Sequence, residues 1–190
     1  MAVAEASLGG LGKVRIKKGF LEVAVEENPA VACLGSQMSG WALEVGGKRA
    51  LGSGPARILA RKPKDVFERL NYSENSKKAV LCLESEVLPD EGVCRMVLEK
   101  TGAHELFVAA YRPDSVVGLV NVLARVVEMG VYRLNFLGYD ARKIVSASGS
   151  ASIPKLDENT MYSANDAIIY AGLVELKVLD WDDTLTSKCV

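Results

Sequence analysis

Short segments in the first third of the chain carry the hydrophobic pattern of β-strands. Residues 14–17 and 20–26 are expected to pair with each other. Residues 41–45 and 49–51 flank the turn Gly46-Gly47, which predicts a β-hairpin. The N-terminal part of the chain is therefore predicted to be mainly β.

A different pattern follows, in which apolar runs alternate with helix-like segments. Residues 79–83 form a continuous apolar run with the length of a buried strand. Asp90 is a suitable N-cap for a helix that extends through Lys100 and ends at Gly102. Residues 106–111 then predict a second buried strand.

The longest predicted helix covers residues 115–137 and is closed by Gly138. Strands that alternate with helices indicate an α/β fold, with mixed sheets packed against helices. The remaining segments are predicted to be extended at 143–146, 147–152 and 166–178, and to form a loop at 154–163.

The size of the chain allows one sizeable core or two small ones. It has 190 residues, of which 49% are hydrophobic and 25% are charged. Residues 1–64 are predicted to form a mainly β segment with Gly-rich loops, and residues 65–190 an α/β segment that carries the long helix. The boundary lies in the polar stretch 61–78, and a single compact unit is the alternative.

Charge and hydropathy restrict the possible partners. The formal net charge of -1 excludes the strongly basic surface of a general nucleic-acid binder. No run approaches the roughly 20 apolar residues that span a bilayer, and the N-terminus lacks the basic region of a signal peptide. We therefore expect a cytoplasmic protein with no nucleic-acid partner and no membrane partner.

The residues that bind metals are few and scattered. The cysteines show no CxxC pair, and His104 is the single histidine, so the sequence predicts no metal site. Reduced, mostly buried thiols are expected at Cys33, Cys82, Cys94 and Cys189.

Small residues and polar donors are concentrated in residues 30–64. Two loops, Gly35-Ser36-Gln37 and Gly52-Ser53-Gly54, lie close to a short hairpin in the sequence, and Pro55 suits the first turn of a helix. Free N–H groups at such a helix start, with Arg57 beside them, predict a cradle for an anion or a cofactor. Tight-turn packing is the alternative explanation for both loops.

A narrow polar stripe interrupts the apolar surface of the long predicted helix. Asn121, Arg125 and Glu128 fall within about 60° of one another at 100° per residue. Such a stripe is typical of a helix that faces a cleft. An ion pair on the protein surface is the alternative.

Five sequence blocks together resemble methenyltetrahydromethanopterin cyclohydrolase, in order and with compatible spacing. The resemblance covers nearly the whole chain and implies the fold of that family. The blocks are residues 32–41, 52–57, 124–128, 138–140 and 165–166.

The resemblance implies a one-carbon enzyme that hydrolyses the methenyl bridge of 5,10-methenyltetrahydromethanopterin to the 5-formyl compound, without a metal or redox cofactor. In that family an arginine and a glutamate three residues apart are the catalytic pair, and they match Arg125 and Glu128. A carboxylate suits this chemistry because water must lose a proton as it adds to the cationic carbon. Arg125 would keep Glu128 ionised and would orient it or the water.

The resemblance also implies a homotrimer and a substrate whose tail carries a phosphate and a dicarboxylate. The Gly-rich loops and part of the helix stripe are therefore assigned to the substrate, as are two later Asx residues, for which turn initiation is the alternative. The residues assigned to substrate binding are Ser36, Gln37, Gly52, Ser53, Gly54, Arg57, Asn121, Asn165 and Asp166.

The sequence also departs from the family pattern. Family members extend further at both ends, so the chain is expected to be shorter than they are. Residues 111–115, Asn121, residues 147–152 and Met161-Tyr162 differ from the usual family residues along the expected cleft. The shorter length and these differences support an alternative, a truncated or diverged non-catalytic paralogue that binds a pterin or a phosphate ligand. Tetrahydrofolate is a minor alternative as the carbon carrier, because the sequence has no GxGxxG between a strand and a helix.

Overall fold

The computed structural model describes residues 1–157, 159–181 and 183–185. The strands are β1 Gly12–Lys17, β2 Phe20–Val25, β3 Trp41–Val45, β4 Lys48–Ser53, β5 Lys78–Glu84, β6 Glu105–Tyr111, β7 Ile144–Ser152 and β8 Leu173–Val178. The α-helices are α1 Ala2–Ser7, α2 Ala56–Ala60, α3 Lys64–Leu70, α4 Glu91–Thr101, α5 Val116–Leu123, α6 Val126–Phe136 and α7 Thr160–Ala171. A π-helix covers Val31–Gln37, and short 3-10 helices cover Ala141–Lys143 and Asp183–Leu185.

Two four-stranded sheets organise these elements. The first sheet has the order β1-β2-β7-β8, and all its neighbours are antiparallel. The second has the order β3-β4-β5-β6, in which β5 and β6 are parallel and the other pairs antiparallel. Helices pack against both sheets, which confirms the predicted α/β fold with mixed sheets.

Each sheet packs against its own group of helices. One hydrophobic core joins the inner face of the first sheet to α5, α6 and α7, with Leu21, Val127 and Val131 fully buried. A second core lies between one face of the second sheet and α4, around Leu81 and Val97. Each sheet takes strands from both sides of residue 64, and the proposed domain boundary there stays a prediction.

The predicted strands in the first two thirds of the chain are confirmed, including the two hairpins and the apolar strands at β5 and β6. The helix after β5 has the predicted ends. Asp90 accepts a hydrogen bond from the backbone N–H of Val93 at 2.9 Å, and Gly102 ends the helix with a φ of +68°.

Two predictions about the second half of the chain were wrong. The single helix at 115–137 is two helices that meet at Ala124 and Arg125. Residues 160–171 form α7 rather than loop and extended chain, because Ala164, Ala167 and Ile168 are buried together at helical spacing. Within the described part of the chain, no helix combines the length and the apolar character needed to cross a membrane.

Candidate active site

The break between α5 and α6 places the two predicted catalytic residues. Ser115 caps the start of α5 by accepting a hydrogen bond from the N–H of Gly118 at 3.1 Å. At the other end, the carbonyl oxygen of Ala124 accepts a hydrogen bond from Nε2 of Gln37 at 3.0 Å. A side chain bonded into the helical ladder is a known cause of such breaks. Gln37 therefore supports the backbone at Arg125.

Arg125 and Glu128 form a close ion pair at the start of α6. Nε and Nη2 of Arg125 lie 2.9 Å and 2.8 Å from Oε2 of Glu128. Glu128 is only 1% exposed, whereas the side chain of Arg125 is 29% exposed. Glu128 also lies in the first turn of α6, where the helix dipole favours negative charge. The pair is thus not the surface ion pair considered as the alternative.

Arg57 lies inside the protein rather than on an anion-binding surface. Its Nη1 donates to the carbonyl oxygens of Leu34 and Gly35, both at 3.1 Å, and its Nε donates to that of Lys62 at 2.8 Å. The guanidinium also stacks 5.9 Å from the ring centre of Phe67. Residues 31–37, predicted as a permissive loop, are a π-helix, and Arg57 satisfies carbonyl groups in its last turn.

The charge of Arg57 is close enough to Arg125 and Glu128 to interact with them. Burial lowers the pKa of Arg57 to about 10, the charge of Glu128 opposes this, and the charge of Arg125 adds to it. Burial and the charge of Glu128 also raise the pKa of the Cys33 thiol. Glu128 is therefore enclosed by a buried cation, a neutral thiol and its own partner Arg125.

The other small residues of the Gly-rich segment are bonded within the fold. Oγ of Ser36 donates to the carbonyl oxygen of Ser7 at 2.6 Å, and Oγ of Ser53 lies 3.4 Å from that of Cys82. Gly52 is a paired residue of β4. Gly54 has a φ of +95°, and a Cβ there would lie 3.0 Å from a backbone oxygen of β5. This geometry supports the packing explanation for the segment.

Asn165 lines a cleft with Arg125, whereas Asp166 does not. A small cleft of about 40 Å³ is lined by Arg125 and Asn165 together with apolar residues of α5, α6 and α7. Asn165 and Asp166 are both exposed on α7. Asn121, the third member of the predicted stripe, is buried on α5 and donates through Nδ2 to the hydroxyl of Tyr111.

Two further side chains, Glu84 and Tyr111, belong to this region and were not assigned from the sequence. They end the parallel strands β5 and β6 as register partners. Burial raises the pKa of half-buried Glu84, and the charge of Arg125 opposes this. Burial and the charge of Glu84 raise the pKa of the Tyr111 hydroxyl.

A signal for Glu84 and Tyr111 was present in the sequence. Both apolar strand-forming runs end in a polar group, and ligands commonly bind at the carboxyl ends of strands in open α/β sheets.

Among the described residues, no group of three or more His, Cys, Asp or Glu side chains is arranged to hold a metal ion. Cys33, Cys82 and Cys94 are free thiols, and Cys94 is only partly buried. Cys189 lies outside the described residues.

Comparison with known proteins links this chain to one family. The family model described as Cyclohydrolase (MCH) matches residues 1–189. A methenyltetrahydromethanopterin cyclohydrolase of Methanospirillum hungatei is 41% identical over 188 residues, which cover 92% of this chain and 59% of the relative. The enzyme of the same name from Methanocaldococcus jannaschii is 37% identical over 198 residues, covering 96% of this chain and 61% of the relative. The chain thus spans about three fifths of the length of these relatives.

Proposed function

This chain belongs to the cyclohydrolase (MCH) family, and from that premise we propose that it hydrolyses the methenyl bridge of 5,10-methenyltetrahydromethanopterin to give 5-formyltetrahydromethanopterin. The relatives that carry this activity in their names support the substrate, and the buried ion pair supports the chemistry. The proposal makes the protein a hydrolase of one-carbon metabolism.

The arrangement of Arg125 on Glu128 is the observation that carries the proposal. Nε of Arg125 donates a hydrogen bond to Oε2 of the carboxylate, and Nη2 lies 2.8 Å from the same oxygen as an ion-pair contact. Within the described chain, no hydrogen bond engages Oε1 of Glu128. One oxygen is therefore held in place while the other is left to accept a proton, which is the arrangement that a general base requires.

The reaction needs a base because its electrophile is already activated. The methenyl carbon shares a positive charge with the two nitrogens that flank it, so water adds without further activation of that carbon. As the C–O bond forms, Glu128 takes one proton from the water. The carbinol O–H then loses its proton as the C=O bond forms, the electron pair of the C–N10 bond moves to N10, which takes up a proton, and the formyl group stays on N5.

Arg125 supports this step by orientation and by charge. The hydrogen bond from Nε and the ion-pair contact of Nη2 hold Oε2 of Glu128 in place at the start of α6. The guanidinium is partly exposed, whereas Glu128 is buried beneath it. Arg125 is therefore a positioning residue for Glu128, and its exposed edge is available to orient the attacking water.

Substrate binding is proposed at the surface around this pair. Asn165 shares a cleft with Arg125, so it is the best placed of the predicted binding residues. Ser36, Gln37 and Arg57 would act indirectly by supporting the backbone beneath the pair. We propose that no metal or redox cofactor takes part, and an unchanged rate after dialysis against a chelator would test this.

The cellular setting is also part of the proposal. We expect a cytoplasmic homo-oligomer, a trimer by family resemblance. Large apolar side chains on α6, α7 and β8 are exposed, and exposed apolar surface of this kind is typical of subunit interfaces. They are Tyr132, Phe136, Tyr162, Ile169, Tyr170 and Leu173. Light scattering coupled to size-exclusion chromatography measures the oligomeric state directly.

Loss of the methenyl chromophore in the presence of the protein tests the activity. The wild type should accelerate hydrolysis over buffer, and Glu128→Gln should lower kcat by about 1,000-fold, within the range for general-base catalysis. Glu99→Gln is the matched control, because Glu99 is an exposed glutamate on α4. It should leave the rate unchanged.

The outcomes separate the alternatives. If the wild-type protein binds the substrate but does not accelerate its hydrolysis, the proposed activity is wrong and the chain is the non-catalytic paralogue. Full activity of Glu128→Gln would remove the mechanism. Faster hydrolysis of methenyltetrahydrofolate than of the methanopterin compound would change the carbon carrier.

A further inference from the structure

The proposed reaction contains a second proton transfer. When the C–N10 bond breaks, its electron pair stays on N10, and this nitrogen must gain a proton to leave as an amine. Glu128 has just received a proton from the water, and its Oε2 is held by Arg125. A second acidic group near Arg125 would complete the chemistry, and this inference rests on the proposed function.

Glu84 is the carboxyl group in the right region. It ends β5 as the register partner of Tyr111, and the Tyr111 hydroxyl is bonded to Asn121, which precedes Arg125 by four residues. It lines an open cleft of about 370 Å³, which is within the size range of small-molecule sites. The cleft is lined by Arg49, Leu51, Glu84, Ser85, Glu86 and Pro113.

The bonding of the two carboxyl groups differs sharply. Glu128 is buried and bonded to Arg125, whereas no hydrogen bond or ion pair engages the carboxyl group of Glu84 within the described residues. Half-burial without a bonded partner favours the protonated form, and burial raises the pKa of Glu84. Two carboxyl groups with environments this different are the usual arrangement of a general acid and a general base.

Tyr111 is the register partner of Glu84, and Asn121 is bonded to Tyr111. The Tyr111 hydroxyl accepts a hydrogen bond from Nδ2 of Asn121, which leaves its own hydrogen available for donation. Oδ1 of Asn121 is buried and has no partner among the described residues. The side of the site next to Glu84 is therefore built from polar groups whose bonding capacity is not fully used.

We propose that Glu84 is the general acid of the reaction and donates the proton that N10 takes up as the C–N10 bond breaks. The carbinol O–H loses its proton to solvent as the C=O bond forms, and the Glu84 carboxylate regains a proton from solvent. Glu128 releases the proton that it took from water. One water is consumed and one net proton is released, which balances the conversion of a cation to a neutral formyl compound.

The test compares Glu84→Gln with the wild type in both directions of the reaction. The variant should lower kcat by about 100-fold with little change in KM. The same factor should appear in cyclisation of the formyl compound, because the Glu84 carboxylate would then accept the N10 proton. Glu99→Gln again serves as the exposed control.

The pH profile separates a general acid from a structural residue. The wild-type kcat for hydrolysis should fall as the pH rises through the ionisation of Glu84, and this decline should be absent in Glu84→Gln. The charged and titratable groups that face Glu84 are Arg125 from the helix break, Tyr111 from β6, Arg49 from β4 and Glu86 on the cleft wall. Tyr111→Phe should keep the decline of kcat with rising pH. That result would assign the decline to the carboxyl group of Glu84 rather than to the Tyr111 hydroxyl.

A stability measurement supplies a readout that does not depend on turnover. Because the pKa of Glu84 is raised in the folded protein, its contribution to stability is present at low pH and is lost as the pH rises above the ordinary carboxyl value of 4.5. The free energy of unfolding should therefore fall less steeply with pH in Glu84→Gln than in the wild type.

The outcomes distinguish this inference from the proposed function. An active wild type, an inactive Glu128→Gln and a Glu84→Gln variant with unchanged kcat would overturn the role of Glu84 alone. An effect of Glu84→Gln on KM alone would do the same. An inactive wild type would overturn the proposed function and this inference with it.

Discussion

Arg57 and Arg125 lie close to the same carboxylate, yet they occupy opposite kinds of surroundings. Arg57 is fully buried and donates to backbone carbonyl oxygens, whereas Arg125 is 29% exposed in its side chain and donates to the carboxylate of Glu128. Both belong to segments that were assigned to the site from the sequence. Arg57 therefore stabilises the fold, whereas Arg125 is placed to take part in the proposed reaction.

The partners of each guanidinium explain the difference. Carbonyl oxygens of the π-helix and of Lys62 accept from Nε and Nη1 of Arg57. Nη2 has no hydrogen-bond partner among the described residues, but it is buried with the rest of the side chain and out of reach of a ligand at the surface. Arg125 donates one hydrogen bond to Oε2 of Glu128, forms an ion-pair contact with the same oxygen, and keeps part of its surface in contact with solvent. An arginine in a Gly-rich loop is thus not sufficient to indicate an anion site, because the carbonyl groups of the loop compete for it.

Replacing Arg57 should produce the largest effect. Arg57→Met leaves the carbonyl oxygens of Leu34, Gly35 and Lys62 without this donor, and the free energy of unfolding should fall by about 3–5 kcal/mol. Urea unfolding measures the change. Arg142→Met is the control, because Arg142 lies on the surface beside Asp140 and its loss should change stability little. A stable Arg57→Met variant with weakened substrate binding would reverse the assignment.

Replacing Arg125 tests whether this arginine serves the proposed reaction rather than the stability of the fold. Arg125→Lys keeps the positive charge but loses the Nε hydrogen bond to Oε2 and the guanidinium contact beside it, so kcat should fall by about 10- to 100-fold. The melting temperature should change little, since the side chain is partly exposed. Steady-state kinetics and thermal melting on the same sample measure both. A large loss of stability with kcat preserved would place Arg125 in the same class as Arg57.

Gly40 offers the smallest and most local change. A Cβ at this position would lie 2.7 Å from Nη2 of Arg57 and 2.6 Å from Cδ of Pro63. Gly40→Ala should therefore displace the guanidinium and cost about 1–2 kcal/mol of stability. Ser39→Ala, one residue earlier, is the control and should melt with the wild type. Equal melting of the two variants would mean that Arg57 accommodates the methyl group without losing its bonds.

Local patterns were sufficient to predict most of the β-structure. The hairpins, the apolar strands and the helix capped by Asp90 depend on short-range signals, and these were confirmed. The break at Ala124 was not predictable in this way, because it involves a hydrogen bond from Gln37, which is 87 residues away. The apolar run 166–178 was divided between α7 and β8 by packing that the pattern alone does not specify.

Prediction of the site was limited in the same way, because local patterns do not reveal contacts between segments that are distant in the sequence. Arg125 and Glu128 were assigned from their spacing and from family resemblance, and they do form a pair. The position of Arg57 was not predictable, because its partners are carbonyl groups exposed by a π-helix that no sequence rule indicated. Glu84 was missed because its significance depends on the approach of Arg125 from another layer of the fold.

The hydrogen bond from Gln37 to Ala124 makes the proposed activity depend on the packing of two distant parts of the chain against each other. The geometry at Arg125 depends on a side chain from the N-terminal part of the chain, so the site takes shape when the two parts meet. A substitution that loosens the π-helix should abolish the proposed activity while leaving Arg125 and Glu128 chemically unchanged. Activity is therefore expected to disappear before helix content during gradual denaturation, and an assay of rate would report damage that circular dichroism does not detect.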